Sequence, residues 1–167
     1  MQPGDHVVLS FAYCGHCHRC QDDRVAYCQH APRLNFGGVS VDGSALLTDE
    51  NGSGIAAQFL GQSSFATHVL VNESSVVRID HDVPLELMGS LGCGMQTGAG
   101  TVLNVLQLRP GTSMAILGAG SVGLAALMAA RIAGCGTLIA VDINQSRLRL
   151  AQELGADVCI HAASTIG

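Results

Sequence analysis

Charge is the first thing this 167-residue chain has little of: 13% of its residues are Asp, Glu, Lys or Arg, against about 25% in an ordinary soluble domain. With 48% hydrophobic residues and a mean hydropathy of +0.36, it carries apolar surface that expects cover. Its few basic residues are outnumbered by acids, 8 against 13, and the net charge is -5 with a pI near 5.7. No basic patch is left to neutralise a phosphate backbone, so nucleic acid is excluded as the expected partner. Long apolar runs are missing too. Val122 to Ala130 is interrupted by Gly123 and followed by Arg131, far short of the roughly 20 residues a bilayer span needs. The opening Met1-Gln2-Pro3-Gly4-Asp5-His6 has neither the basic nor the apolar region of a signal peptide. The expected setting is cytoplasmic and free of membrane. There the 7 cysteines read as thiols or metal ligands, not disulfides.

Two halves differ in texture, and the boundary between them is placed after residue 94. In residues 1–94, His6 to Phe11, Phe65 to Val71 and Ser75 to Ile79 are β-branched and aromatic runs bounded by Gly, Asp, Asn or Ser, the pattern of a small irregular β domain. Pro32 to Gly54 between them reads as surface loop, with a hairpin turn at Asp42-Gly43. Residues 95–167 alternate. Met114 to Leu117 is a strand, Val122 to Ala133 an apolar helix buried nearly all round, and Thr137 to Ile143 a second buried strand. Asn144 to Leu154 is a helix with Asn144 as N-cap and Gly155 as C-cap, and Asp157 to Ile160 is a third strand. This is βαβαβ, half of a doubly wound α/β sheet.

Cys14, Cys17, Cys20 and Cys28 stand as C-x2-C-x2-C-x7-C. Four thiolates hold zinc tetrahedrally, and C-x2-C spacing lets a tight turn aim two sulfurs at one ion. Such a site is closed, so it supports structure and does not catalyse. An iron–sulfur cluster uses the same kind of ligand set. His16, His18 and His30 lie within or beside the cysteines and could replace one as ligands; with four sulfurs present they are expected as solvated loop residues.

Gly118-Ala119-Gly120-Ser121-Val122-Gly123 is G-x-G-x-x-G. It follows an expected strand, opens a helix, and is trailed by Asp142 at the end of the next strand, the context that a dinucleotide-binding turn requires. Gly118 permits the tight turn, Gly120 lets backbone amides approach a pyrophosphate, and Gly123 lets the helix pack on the sheet. Helix N–H groups at Ser121 and Val122 then face the phosphates. Asp142 is expected to accept hydrogen bonds from the adenosine ribose and to repel a 2′-phosphate, which favours NAD over NADP. Arg147 could lie across the same ribose or be a solvated helix cation.

The four cysteines, the segment Leu91-Gly92-Cys93-Gly94-Met95-Gln96-Thr97-Gly98 and the Gly118–Gly123 turn, in this order, resemble the medium-chain, zinc-dependent alcohol dehydrogenases, nearest to the aryl (benzyl) alcohol or geraniol type. The resemblance implies a GroES-like catalytic-domain segment with a structural zinc lobe, followed by the first half of a Rossmann fold. It implies zinc at the four cysteines, Cys93 as one ligand of a catalytic zinc, and Thr97 and Val122 against the nicotinamide. It also implies Phe59 and Leu60 in the substrate pocket, and hydride transfer from a small primary alcohol to NAD within a homo-oligomer. Cys135 and Cys159 match no functional position and are expected in the core.

The chain departs from the family's pattern in one respect that matters. The family's catalytic zinc also takes a cysteine and a Gly-His-Glu segment ahead of the structural lobe, and no His-Glu pair occurs in these residues. The sequence therefore reads as a central fragment, inactive by itself. A polyol or threonine-type dehydrogenase, and a non-catalytic zinc-binding module as a description of the isolated chain, stand as alternatives.

Overall fold

The computed structural model describes residues 1–40 and 42–164, so the last three residues of the expected nucleotide domain lie outside it. The chain divides into two compact units, Met1–Glu86 and Leu87–Gly167.

In the first unit, strand β1 (His6–Leu9) is followed by a one-turn helix α1 (His18–Gln21), helix α2 (Ala31–Phe36), and the short strands β2 (Leu47–Thr48) and β3 (Gly54–Ile55). Strand β4 (Val76–Ile79) pairs antiparallel with β1, His6 opposite Ile79 and Leu9 opposite Val76. Two expectations fail here. Phe65 to Val71 forms no strand, and Phe65 and Leu70 are fully exposed; β-propensity without a ladder partner does not make a strand. The Pro32–Gly54 stretch is not all loop, because α2 occupies its start with a proline in the first turn, where the missing N–H costs nothing. The tight turn at Asp42-Gly43 forms as expected, with the Gly43 amide donating to the Ser40 carbonyl and the Ser40 amide to the Ser44 carbonyl, while the strand-paired hairpin lies between β2 and β3. Asp42 spends its carboxylate locally on the Ser44 amide and hydroxyl, whereas Asp49 accepts from the amides of Asn51 and Ser53 and closes the β2–β3 hairpin.

The second unit follows the expected alternation closely. A helical stretch centres on α3 (Gln96–Gly100), with wider π-turns at Leu91–Met95 and Thr101–Leu106. Then come β5 (Ser113–Leu117), α4 (Ser121–Ile132), β6 (Thr137–Asp142), α5 (Gln145–Glu153) and β7 (Val158–His161). The three strands pair in parallel in the order β5-β6-β7. Their core gathers Val102, Ile116, Leu127, Leu138 and Leu148, all less than a tenth exposed. Burial of α4 is one-sided, a correction to the all-round burial expected: Ala125 to Leu127, Ala129 and Ala130 are covered while Val122 and Ile132 face outward. Cys135 is in the core as expected. Cys159 is not; it sits on the outer strand β7, exposed, with its thiol donating to the Leu148 carbonyl oxygen at 3.3 Å.

Candidate metal centre and dinucleotide cleft

The four lobe cysteines are brought together by tight local turns. Cys14 precedes a left-handed Gly15, Cys17 and Cys20 bracket the start of α1, and a short 3-10 turn at Val25–Tyr27 delivers Cys28. All four sulfurs lie within 4.8 Å of one another. Around a tetrahedral zinc with Zn–S of about 2.3 Å, sulfurs stand about 3.8 Å apart; Cys14–Cys20 is 3.9 Å and Cys17–Cys20 is 3.6 Å. The Cys17 amide donates to the Cys14 sulfur at 3.3 Å and the Cys14 amide to the Cys28 sulfur at 3.4 Å, the hydrogen bonds that hold thiolate charge. Backbone amides of Gln29 and Cys20 lower the Cys17 pKa to about 6, while burial pushes Cys20 up to about 12. Four packed sulfurs cannot all ionise without a cation to balance them, and this donor set suits zinc.

Asn35, which sequence reasoning passed over, ties α2 to the segment between β1 and Cys14. It is 3% exposed, accepts the Ala12 amide through its Oδ1 and donates through its Nδ2 to the Ala12 and Ala31 carbonyls, each at 2.8 Å. Nothing in its local sequence separates it from an ordinary helix asparagine. Of the two expected pocket residues, Phe59 is exposed and packs on Phe36 at a centroid distance of 5.6 Å, and Leu60 takes a left-handed φ of 55° while its amide donates to the Asn35 carbonyl.

In the second unit the Gly118–Gly123 turn carries β5 into α4. Gly118 adopts φ +98°, a Cβ on Gly123 would collide with the Gly118 carbonyl, and a Cβ on Gly120 would meet nothing within 4 Å. The first two glycines thus leave room, and the third allows contact. Helix α4 starts at Gly120, which has no side chain to cap it, so the N–H groups of its first turn have no N-cap partner. A cleft of about 510 Å³ opens at this end, lined by Gly118, Gly120, Ser121, Val122, Gly123 and Arg147 among others. Gly98 also lines it, and was missed as a packing position. A Cβ there would strike Val122 and Ala126, so glycine sets how closely α3 approaches α4.

Asp142 is 7% exposed and does not line the cleft. Its carboxylate accepts the Ala119 amide at 2.6 Å and the Asn144 amide at 2.7 Å, which pins the Gly-rich turn from behind. Those amides, Asn144 first, hold its pKa below the ordinary carboxylate value. Thr97 is exposed and donates to the Cys93 carbonyl at 2.8 Å. Cys93 itself is exposed in the π-turn at Leu91–Met95 and joins no group of three metal-ligating side chains among the described residues.

Comparison with known proteins agrees with this geometry. The family model described as "Alcohol dehydrogenase GroES-like domain" matches residues 1–81, and the one described as "Zinc-binding dehydrogenase" matches residues 121–166. The chain belongs to the zinc-dependent medium-chain alcohol dehydrogenase family. It is 48% identical over 157 residues to a geraniol dehydrogenase of Castellaniella defragrans, an alignment that covers 93% of this chain and 42% of the relative. Two solved structures superpose on it closely. An alcohol dehydrogenase zinc-binding domain protein from Burkholderia ambifaria gives a TM-score of 0.91 at 49% identity, covering 99% of this chain and 45% of that one. The benzyl alcohol dehydrogenase of Acinetobacter calcoaceticus gives 0.88 at 44% identity, covering 99% and 44%. The chain thus spans about half the length of the curated relatives it matches. Its fold is a GroES-like domain followed by the start of the Rossmann region. No helix among the described residues is long and apolar enough to cross a membrane.

Proposed function

We propose that these residues serve an NAD-dependent, zinc-containing alcohol dehydrogenase, in which residues 95–167 bind the adenosine and pyrophosphate part of the cofactor and residues 1–94 belong to the catalytic and zinc domain. The observation that carries this reading is the uncapped start of α4, opening through three glycines onto a cleft that also holds Arg147. Gly120, Ser121, Val122 and Gly123 offer backbone N–H groups to the pyrophosphate, and Gly118, whose own N–H donates to the Val141 carbonyl, supplies the tight turn. Asp142, at the end of β6 beside the cleft's Gly-rich turn, is assigned to the ribose hydroxyls, with Arg147 in the cleft lining next to them. Thr97 and Val122 orient the nicotinamide, which when bound supplies the hydride acceptor. Phe59 and Leu60 contribute to the alcohol pocket.

The substrate is a primary alcohol, aryl or allylic, released as the aldehyde, in keeping with relatives named for geraniol and benzyl alcohol. Cys93 is assigned as one ligand of the catalytic zinc. Such a zinc needs three protein ligands, and among the described residues Cys93 joins no group of three. For the same reason the 167 residues alone are expected to show no turnover. The setting is cytoplasmic, and the whole enzyme a homo-oligomer.

Steady-state kinetics of the full-length protein test the cofactor assignment. kcat/KM is expected to favour NAD over NADP, and Asp142→Gly combined with Ile143→Arg to shift the preference toward NADP. A full-length protein that favours NADP with Asp142 intact overturns the assignment.

A further inference from the structure

Three of the four lobe sulfurs are shut away and one is not. Cys17, Cys20 and Cys28 are 7%, 8% and 4% exposed, whereas Cys14 is half-buried. An ion arriving from solvent therefore meets Cys14 first. Cys14 also belongs to a second cluster. With His16 and His30 it offers one sulfur and two ring nitrogens, all within 4.8 Å of one another, and both histidines are exposed. The two rings lie 5.7 Å apart between centroids. Nδ1 of His16 is 2.8 Å from the Cys14 carbonyl oxygen; a carbonyl only accepts, so Nδ1 carries the hydrogen and Nε2 is the nitrogen left for a metal. A cleft of about 340 Å³ with Cys14 and His16 in its lining opens on this corner. Three ligands at the rim with room for water make an open site, in contrast to the closed four-sulfur site behind it.

We propose that Cys14, His16 and His30 form a transfer site through which zinc enters and leaves the four-cysteine lobe. On entry the hydrated ion exchanges water for the two imidazoles and the Cys14 sulfur. Cys17, Cys20 and Cys28 then displace the imidazoles and the remaining water in turn. Each cysteine that enters as a thiol gives its proton to water as its Zn–S bond forms, and the ion stays Zn²⁺ throughout. Neutral imidazole suits a temporary ligand, since it binds and leaves without a net change of charge. Release runs the same steps backwards, with the solvent-facing Cys14 bond the last to break.

The test mixes the zinc-loaded protein with excess chromophoric chelator, and the metal-free protein with cobalt(II), each in a stopped-flow spectrometer. The paired change His16→Ala and His30→Ala is expected to slow both release and uptake about tenfold, with zinc stoichiometry and equilibrium affinity unchanged. Cobalt uptake by the unsubstituted protein shows an early, weak sulfur-to-metal band from a single thiolate before the four-thiolate spectrum, and the double variant lacks it. His18→Ala is the control: His18 is exposed and pairs with Asp22 at 3.4 Å, outside the cluster, so its rates match the unsubstituted protein. His16→Asn with His30→Asn repeats the experiment with polar side chains retained. Unchanged rates in the double variants, slowing that only tracks a loss of affinity, or equal slowing by His18→Ala overturns the proposal.

Discussion

The cysteine lobe and the dinucleotide cleft reach their chemistry by opposite routes. In the lobe, four side chains converge and their sulfurs crowd to within 4.8 Å, so the site consists of what those side chains bring. In the cleft the lining is rich in glycines, and helix α4 begins there at Gly120 with no side-chain cap. One site is closed, with a donor set that suits a metal cation. The other is open, with the start of a helix, where an anion is favoured, at its edge. Substitutions should therefore act differently in the two places: removing atoms damages the lobe, and adding atoms damages the cleft.

The largest effect is expected from removal. Cys17→Ser with Cys20→Ser takes away half the ligand set, and structural zinc in comparable small sites contributes on the order of 10 kcal/mol to folding. Metal content should fall from about one zinc per chain to none. Amide exchange should show lost protection around residues 14–36, with β5, β6 and β7 still protected in the other unit. A doubly substituted protein that retains its zinc breaks the comparison at its first term.

Next comes addition. Gly123→Ala drives a methyl group into the Gly118 carbonyl, and overpacking of this kind costs roughly 1–3 kcal/mol. Gly98→Ala meets Val122 and Ala126 in the same way. Urea unfolding should show both losses, and NAD titration of the full-length protein should show weakened binding for Gly123→Ala. If both alanine variants are as stable as the parent, the glycines are not there for close packing and the contrast with the lobe loses its second half.

How much of each region could be read in advance follows from how local its interactions are. The lobe spans residues 14–28, so spacing alone brought its sulfurs together. The β5–α4–β6–α5–β7 alternation was equally legible, because each element announces itself by its own periodicity and the turn between β5 and α4 by its glycines. What escaped was decided by partners distant in sequence. Phe65 to Val71 has strand composition and no strand to pair with. Asn35 reaches across 23 residues to Ala12. Asp142 was legible as a carboxylate at a strand end, but its grip on the Ala119 amide, also 23 residues away, was not. Cys93 has no site among its sequence neighbours, and its role rests on family resemblance alone.

The smallest expected effect isolates the two helix starts within the same sheet. Helix α5 is capped by its own chain: Asn144 Oδ1 accepts the Ser146 amide at 2.9 Å and the Ser146 hydroxyl at 2.7 Å, with the Arg147 amide at 3.4 Å. Helix α4 begins at Gly120 in extended backbone, φ -82° and ψ -172°, with no such bond. Asn144→Ala should therefore cost about 1 kcal/mol in urea unfolding, the usual value of a lost cap. The reciprocal change, Gly120→Asp, places a capping carboxylate where the backbone already permits one. It should stabilise the unliganded protein by a few tenths of a kcal/mol. The same carboxylate then occupies the N–H groups and repels a pyrophosphate, so NAD affinity should fall sharply while stability rises. A free helix start kept for a ligand predicts this opposition of stability and binding at residue 120, and predicts its absence at residue 144. Should Gly120→Asp leave NAD affinity untouched, the uncapped start of α4 is a packing accident and the cofactor lies elsewhere.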